Sequence, residues 1–89
     1  MASTLEILGT QTACGTTTGA ASDFGKTRYV RLFNSGTAVH LVTVEEADGT
    51  DIGTFSLNAK DSLVIKKLPA HKIFAANAAV LGTKVGSSN

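Results

Sequence analysis

Cys14, His40 and His71 are the residues best suited to nucleophilic, acid–base or soft-metal chemistry. A cysteine beside a histidine is the minimal nucleophilic couple, because the imidazole removes the thiol proton and the thiolate attacks. The surroundings argue against it here. Ala13-Cys14-Gly15 carries no cysteine-enzyme signature, and its Gly- and Thr-rich flanks promise no rigid attack geometry. His40, between Val39 and Leu41, has no Ser, Cys or carboxylate at a motif spacing to orient it as a base. It reads as a strand histidine at a surface or interface, and His71, close to Pro69, as a loop residue. The three together have none of the close spacings of a zinc site.

Glu45, Glu46, Asp48 and Asp51 supply oxygen ligands, and Asp48-Gly49-Thr50-Asp51 has the outline of a calcium loop. The third alternate carboxylate and the closing bidentate Glu of such a loop are missing. Asp-Gly is also a strong hairpin signal, so a polar hairpin turn is predicted. Gly15-Thr16-Thr17-Thr18-Gly19 lacks the Lys and the following helix of a phosphate-binding loop. Lys26, Arg28, Arg31, Lys60, Lys66, Lys67, Lys72 and Lys84 are scattered, and the net charge is only +1. Nucleic-acid binders concentrate a much larger basic excess on one face. One of Lys66 and Lys67, which point to opposite sides of a strand, is predicted to solvate a sheet edge. No catalytic, metal or cofactor site and no nucleic-acid partner is expected.

The elements that would carry these residues are strands. Ser3–Leu8 makes one short strand, and residues 9–25 are then crowded with Gly, Thr and Ala. That stretch has little to bury and high backbone entropy. It is predicted as a flexible surface arm, or one that orders against a neighbouring subunit by adding a strand to its sheet. Residues 1–25 are accordingly set apart from a folded body of residues 26–89. Within Lys26–Asn34, Val30 and Leu32 face one way and Tyr29, Arg31 and Phe33 the other. Ala38–Glu46, Ile52–Leu57, Ser62–Leu68, Lys72–Ala76 and Val80–Val85 follow as strands, with turn chemistry at Asn34-Ser35-Gly36 and Asn58–Asp61. Pro69 stops Ser62–Leu68. Strands recurring about every ten residues indicate an all-β fold, a small antiparallel sandwich or barrel of about six to seven strands. The Ala-rich stretch Ala70–Leu81 is the one plausible helix.

The chain has 89 residues, enough for one domain, and its apolar fraction of 43% includes twelve Ala but no Trp and only five aromatic residues. A domain of this size hides only about 60–65% of its unfolded surface, and Ala adds little area. A single cysteine allows no internal disulfide. Oligomerisation is the remaining way to stabilise such a core. No apolar run reaches the roughly 20 residues needed to cross a bilayer, and the N-terminus lacks a secretory pattern, so synthesis in a cytoplasm and no membrane partner are expected.

Val30–Gly36, Ala38–Val44, Ile52–Leu57 and Ser62–Lys67 resemble, in style and strand order, small β-structured virion proteins of tailed bacteriophages, especially marine and cyanobacterial phages. The similarity spans roughly residues 29–85. It implies a particle component, foremost a capsid decoration or cement protein localised to the virion. Its partners would be further copies of itself, for instance as a trimer, and a major capsid or other virion protein. A neck, tail or baseplate position is the alternative. A small carbohydrate- or protein-binding module is a further one, although sugar sites favour Trp and Tyr and this chain has one Tyr. Leu5, Ile7 and Leu8 of the arm and Tyr29, Arg31 and Phe33 of the mixed face are the candidate interface, since Tyr and Arg are favoured at interface cores. Completion of the domain's own core by Tyr29 and Phe33 stands beside that reading.

Overall fold

The structure, a computed structural model, describes residues 4–88. Eight strands run in chain order: β1 (Thr4–Ile7), β2 (Thr12–Ala13), β3 (Tyr29–Asn34), β4 (His40–Glu45), β5 (Asp51–Leu57), β6 (Ser62–Lys66), β7 (Lys72–Ala75) and β8 (Val80–Ser88). They form two antiparallel sheets. One has the order β1-β8-β3-β6, with β2 following β1 along the same edge of β8; the other is β5-β4-β7. The fold class is therefore all-β, two sheets enclosing one core. Ser3 of the expected first strand lies outside the described residues.

Period-two alternation decides what is inside. Val30 and Leu32 of β3 and Val80 of β8 are fully buried from the five-stranded side. Val42, Leu57, Ile73 and Ala75 meet them from the three-stranded side, with Val44, Phe55 and Ile65 packed at the margin. The Asp48-Gly49 signal gives the β4–β5 hairpin, where Gly49 takes the positive φ of 94° the turn requires. The next three connections, like β3 to β4, cross between sheets, so neighbours in sequence are mostly not neighbours in a sheet. Ala70–Leu81 is not a helix. Its Ile73 and Ala75 pair with Val44 and Val42, and its Val80 pairs with Asn34, so sheet burial overrides the helical preference of Ala.

The Gly/Thr-rich stretch is built into the body. After β2 the chain leaves the five-stranded sheet and borders β7. Gly15 bridges to Phe74, Ser22 bridges to Ile73, and a single 3₁₀ turn at Thr18–Ala20 lies between. Gly15 is needed because a Cβ there would stand 2.0 Å from the Ala20 carbonyl oxygen. The stretch contributes Cys14 and Phe24 to the core, at 2% and 8% exposure.

Phe24 is reached by an unusual route. Phe24, Gly25 and Lys26 have consecutive φ values of 52°, 74° and 57°, a short left-handed turn. Each non-Gly residue there costs about 1–2 kcal/mol. Two side chains hold the turn. Ser22 Oγ accepts from the Phe24 amide at 3.0 Å, and Asp23 Oδ1 accepts from the amides of Gly25 and Lys26 at 3.0 and 3.4 Å. The reward is the seating of the Phe24 ring on Gly82, where a Cβ would come within 2.5 Å of the ring. Phe24→Ala is expected to cost about 3–5 kcal/mol in urea unfolding. Gly25→Ala should cost about 1 kcal/mol, through φ alone. A stretch detached from the body would leave both variants as stable as the parent.

Candidate functional site

Five of the six sequence-predicted interface residues share the outer face of the five-stranded sheet. Register sets Ile7 opposite Val85, Val85 opposite Tyr29, and Tyr29 opposite Lys66, one row across four strands. The next rows join Thr83, Arg31 and Val64, then Leu81, Phe33 and Ser62. Leu5, two residues before Ile7 on β1, shares this face. Leu8 does not: it lies against Gly86 on the side of Glu6. Tyr29, Arg31 and Phe33 are half-buried and stand outside the core cluster. Ile7 is 64% exposed, while Val85 between it and Tyr29 is 1% exposed. The face is thus apolar and closely packed, yet open to solvent over Ile7. The Arg31 guanidinium lies 5.6 Å from the centroid of the Phe33 ring, an arrangement worth about 0.5–1 kcal/mol at an exposed site.

The residues considered for chemistry are placed apart. Burial pushes the Cys14 thiol up to about 11, which removes the thiolate needed for attack at neutral pH. His40 opens β4 opposite Leu57, whereas His71 precedes β7 and donates its amide to the Leu68 carbonyl. Among the described residues, no three of His, Cys, Asp and Glu converge as metal ligands. Asp48 caps its own turn, accepting from the Thr50 amide at 3.0 Å, and that bond holds its carboxyl below the usual value.

Two buried ionisable side chains were not legible as such. Glu45 is wholly buried on the outer face of the three-stranded sheet. Its Oε2 accepts from the Thr18 hydroxyl at 2.7 Å, while Oε1 has no partner among the described residues. Thr18 belongs to the 3₁₀ turn, so that turn covers a carboxylate which alternation alone would have left in water. Lys67 is the other. Its Nζ donates to the carbonyls of Thr27, Leu68 and Pro69 at 2.9, 3.3 and 3.3 Å. Burial lowers its pKa, countered in part by Asp23. Lys66, its neighbour, is exposed as the alternation predicts. Together with His71, Val44, Ile52 and Leu68, the two lysines line an open cleft of about 330 Å³ at one end of the sandwich. Among the described residues, its lining includes no Trp, Tyr or Phe on which a sugar ring could stack.

No protein family, characterised protein or solved structure matches this chain.

Thr18→Val should destabilise the fold by about 1–3 kcal/mol, because Glu45 loses a buried donor. Asp23 gives a pH signature. Partial burial raises its pKa, but the amides of Lys26 and Gly25 and the Lys26 ammonium outweigh this, so the folded value lies below 3.8. The unfolded chain therefore binds more protons as the medium is acidified. This contribution is present above about pH 4 and lost as pH falls through the folded value. Asp23→Asn is expected to flatten that acid limb in urea midpoints measured between pH 2 and 5, and an unchanged limb would exclude the effect.

Proposed function

We propose that the protein is a non-enzymatic structural component of a virion, a decoration or cement protein that stabilises a capsid shell as an oligomer. The observation that carries this reading is the outer face of the five-stranded sheet. It presents Leu5, Ile7, Tyr29, Phe33, Val64 and Leu81 on one side of a sheet whose other side forms the core. Rigid aromatic and aliphatic side chains around one guanidinium suit a protein–protein contact. The small core supports the same reading, since partners that bind only the folded state add their binding free energy to stability. The resemblance of the β3–β6 segments to phage virion proteins supplies the particle.

The test is reconstitution on capsid shells that lack the protein. Parent chain is expected to cosediment with the shells and raise their disassembly temperature. Arg31→Ala and Ile7→Asp should weaken binding at least tenfold while leaving thermal unfolding of the free chain within a few degrees of the parent. A parent chain that stays off the shells, or variants that bind as tightly as it does, would overturn the reading.

A further inference from the structure

The two sheets have several edges, and they differ in how they are closed. The outer side of β7 is taken by Gly15 and Ser22, and one side of β8 by β1 and β2. The free edge at β6 carries the exposed Lys66 within the strand itself, and lysine is a common guard against strand addition. The free edge at β5 has no such guard. Asp51–Leu57 (DIGTFSL) contains no Lys, Arg or Pro, and it is the longest of the edge strands. Among the described residues β5 pairs with β4 alone.

Gly53 adds a second feature. It sits opposite Val44 at the bulge of the hairpin, and a Cβ built on it would meet nothing within 4 Å. A glycine on an edge strand leaves a notch in the row of side chains, which an aromatic ring from a neighbouring strand can fill. Phe55, two residues on, shares the face of Gly53 and is half-buried.

We propose that two copies of this chain join by antiparallel pairing of their β5 strands, with Thr54 on the two-fold axis. The pairing is isologous, so each contact occurs twice. Phe55 of each copy is then opposite Gly53 of the other, and Ile52 opposite Ser56. The two three-stranded sheets become one continuous six-stranded sheet. Charge supports the register. The hairpin end of β5 carries Glu46, Asp48 and Asp51, all exposed, and the opposite end leads to exposed Lys60. Antiparallel pairing brings the acidic end of one copy alongside Lys60 of the other. This deepens the self-association in the proposed function by naming a contact, and it uses a strand separate from the Tyr29–Phe33 face, which stays open for a shell.

The register is tested by disulfide trapping in the full chain. Paired residues on the axis have Cα atoms about 4.5–5.5 Å apart, within disulfide reach, whereas two Ser56 residues would be about 13 Å apart. Cys14 is buried and does not compete. Under a mild oxidant, Thr54→Cys is expected to form a covalent dimer at least tenfold faster than Ser56→Cys. Thr54→Lys, which sets two like charges face to face, should sediment as a monomer with the parent's circular dichroism and melting temperature. Equal trapping of both cysteines, a dimeric Thr54→Lys variant, or a parent that is monomeric at all concentrations would overturn the β5 contact. A parent that self-associates with equal trapping would leave the shell reading standing and remove only this interface.

Discussion

The two sheets are tied together by one side chain, Asn34. It closes β3, is fully buried, and has hydrogen bonds on both its amide nitrogen and its oxygen. Nδ2 donates to Leu57 of the opposite sheet at 2.9 Å and to Ala38, just before β4, at 2.8 Å; Oδ1 accepts from the Gly36 amide at 3.0 Å. Its backbone is engaged as well, by the Asp61 carbonyl and the Lys60 amide of the β5–β6 turn. Two of the connections that cross between sheets therefore converge on a single residue. An apolar side chain here would leave the buried Leu57 carbonyl bare, at about 1–3 kcal/mol. With so few large apolar residues inside, this polar pin fixes the relative placement that core packing alone would specify weakly.

Strands β3 to β8 were legible because alternation is a local property. In Tyr29–Phe33 the aliphatic residues point in and the mixed residues out, as the pattern requires, and the Asp48-Gly49 turn joined the expected pair. The fate of residues 9–25 was not legible. Glycine and threonine suggest entropy when read locally, but Gly15 is small because the stretch folds back on itself at Ala20, and Gly82 because the Phe24 ring lies against it. A neighbour about 60 residues distant, as Phe24 is from Gly82, leaves no trace in a sequence window. The buried ionisable side chains are similar. Glu45 reads as solvated beside a hairpin, and only the returning 3₁₀ turn covers it. Of the candidate interface, the β3 residues and Leu5 and Ile7 share a face because β8 lies between β1 and β3, an order that no short-range signal encodes.

The outer face and the Phe24 turn express opposite solutions to the same shortage of apolar area. Inside, the chain accepts backbone strain at Phe24 and Lys26 to deliver one more ring to the core. Outside, it leaves Leu5 and Ile7 uncovered, an apolar surface that becomes stabilising once a partner removes it from water. The Arg31 guanidinium, over the Phe33 ring, keeps that surface partly polar without a salt-bridge partner among the described residues.

The position of β8 also governs how the chain can fold. Residues 4–7 pair with residues 85–88, and β3 pairs with both β6 and β8, so each completed ladder on the five-stranded side waits for a late segment. Closing such long loops before their contacts form is entropically slow. During synthesis the β4–β5 hairpin can zip up early, but Val80–Ser88 must emerge before β1, β2 and the Phe24 ring have anything to dock on. Until then the Leu5–Leu8 segment, three of whose four residues are large and aliphatic, is exposed apolar sequence that favours aggregation of the nascent chain.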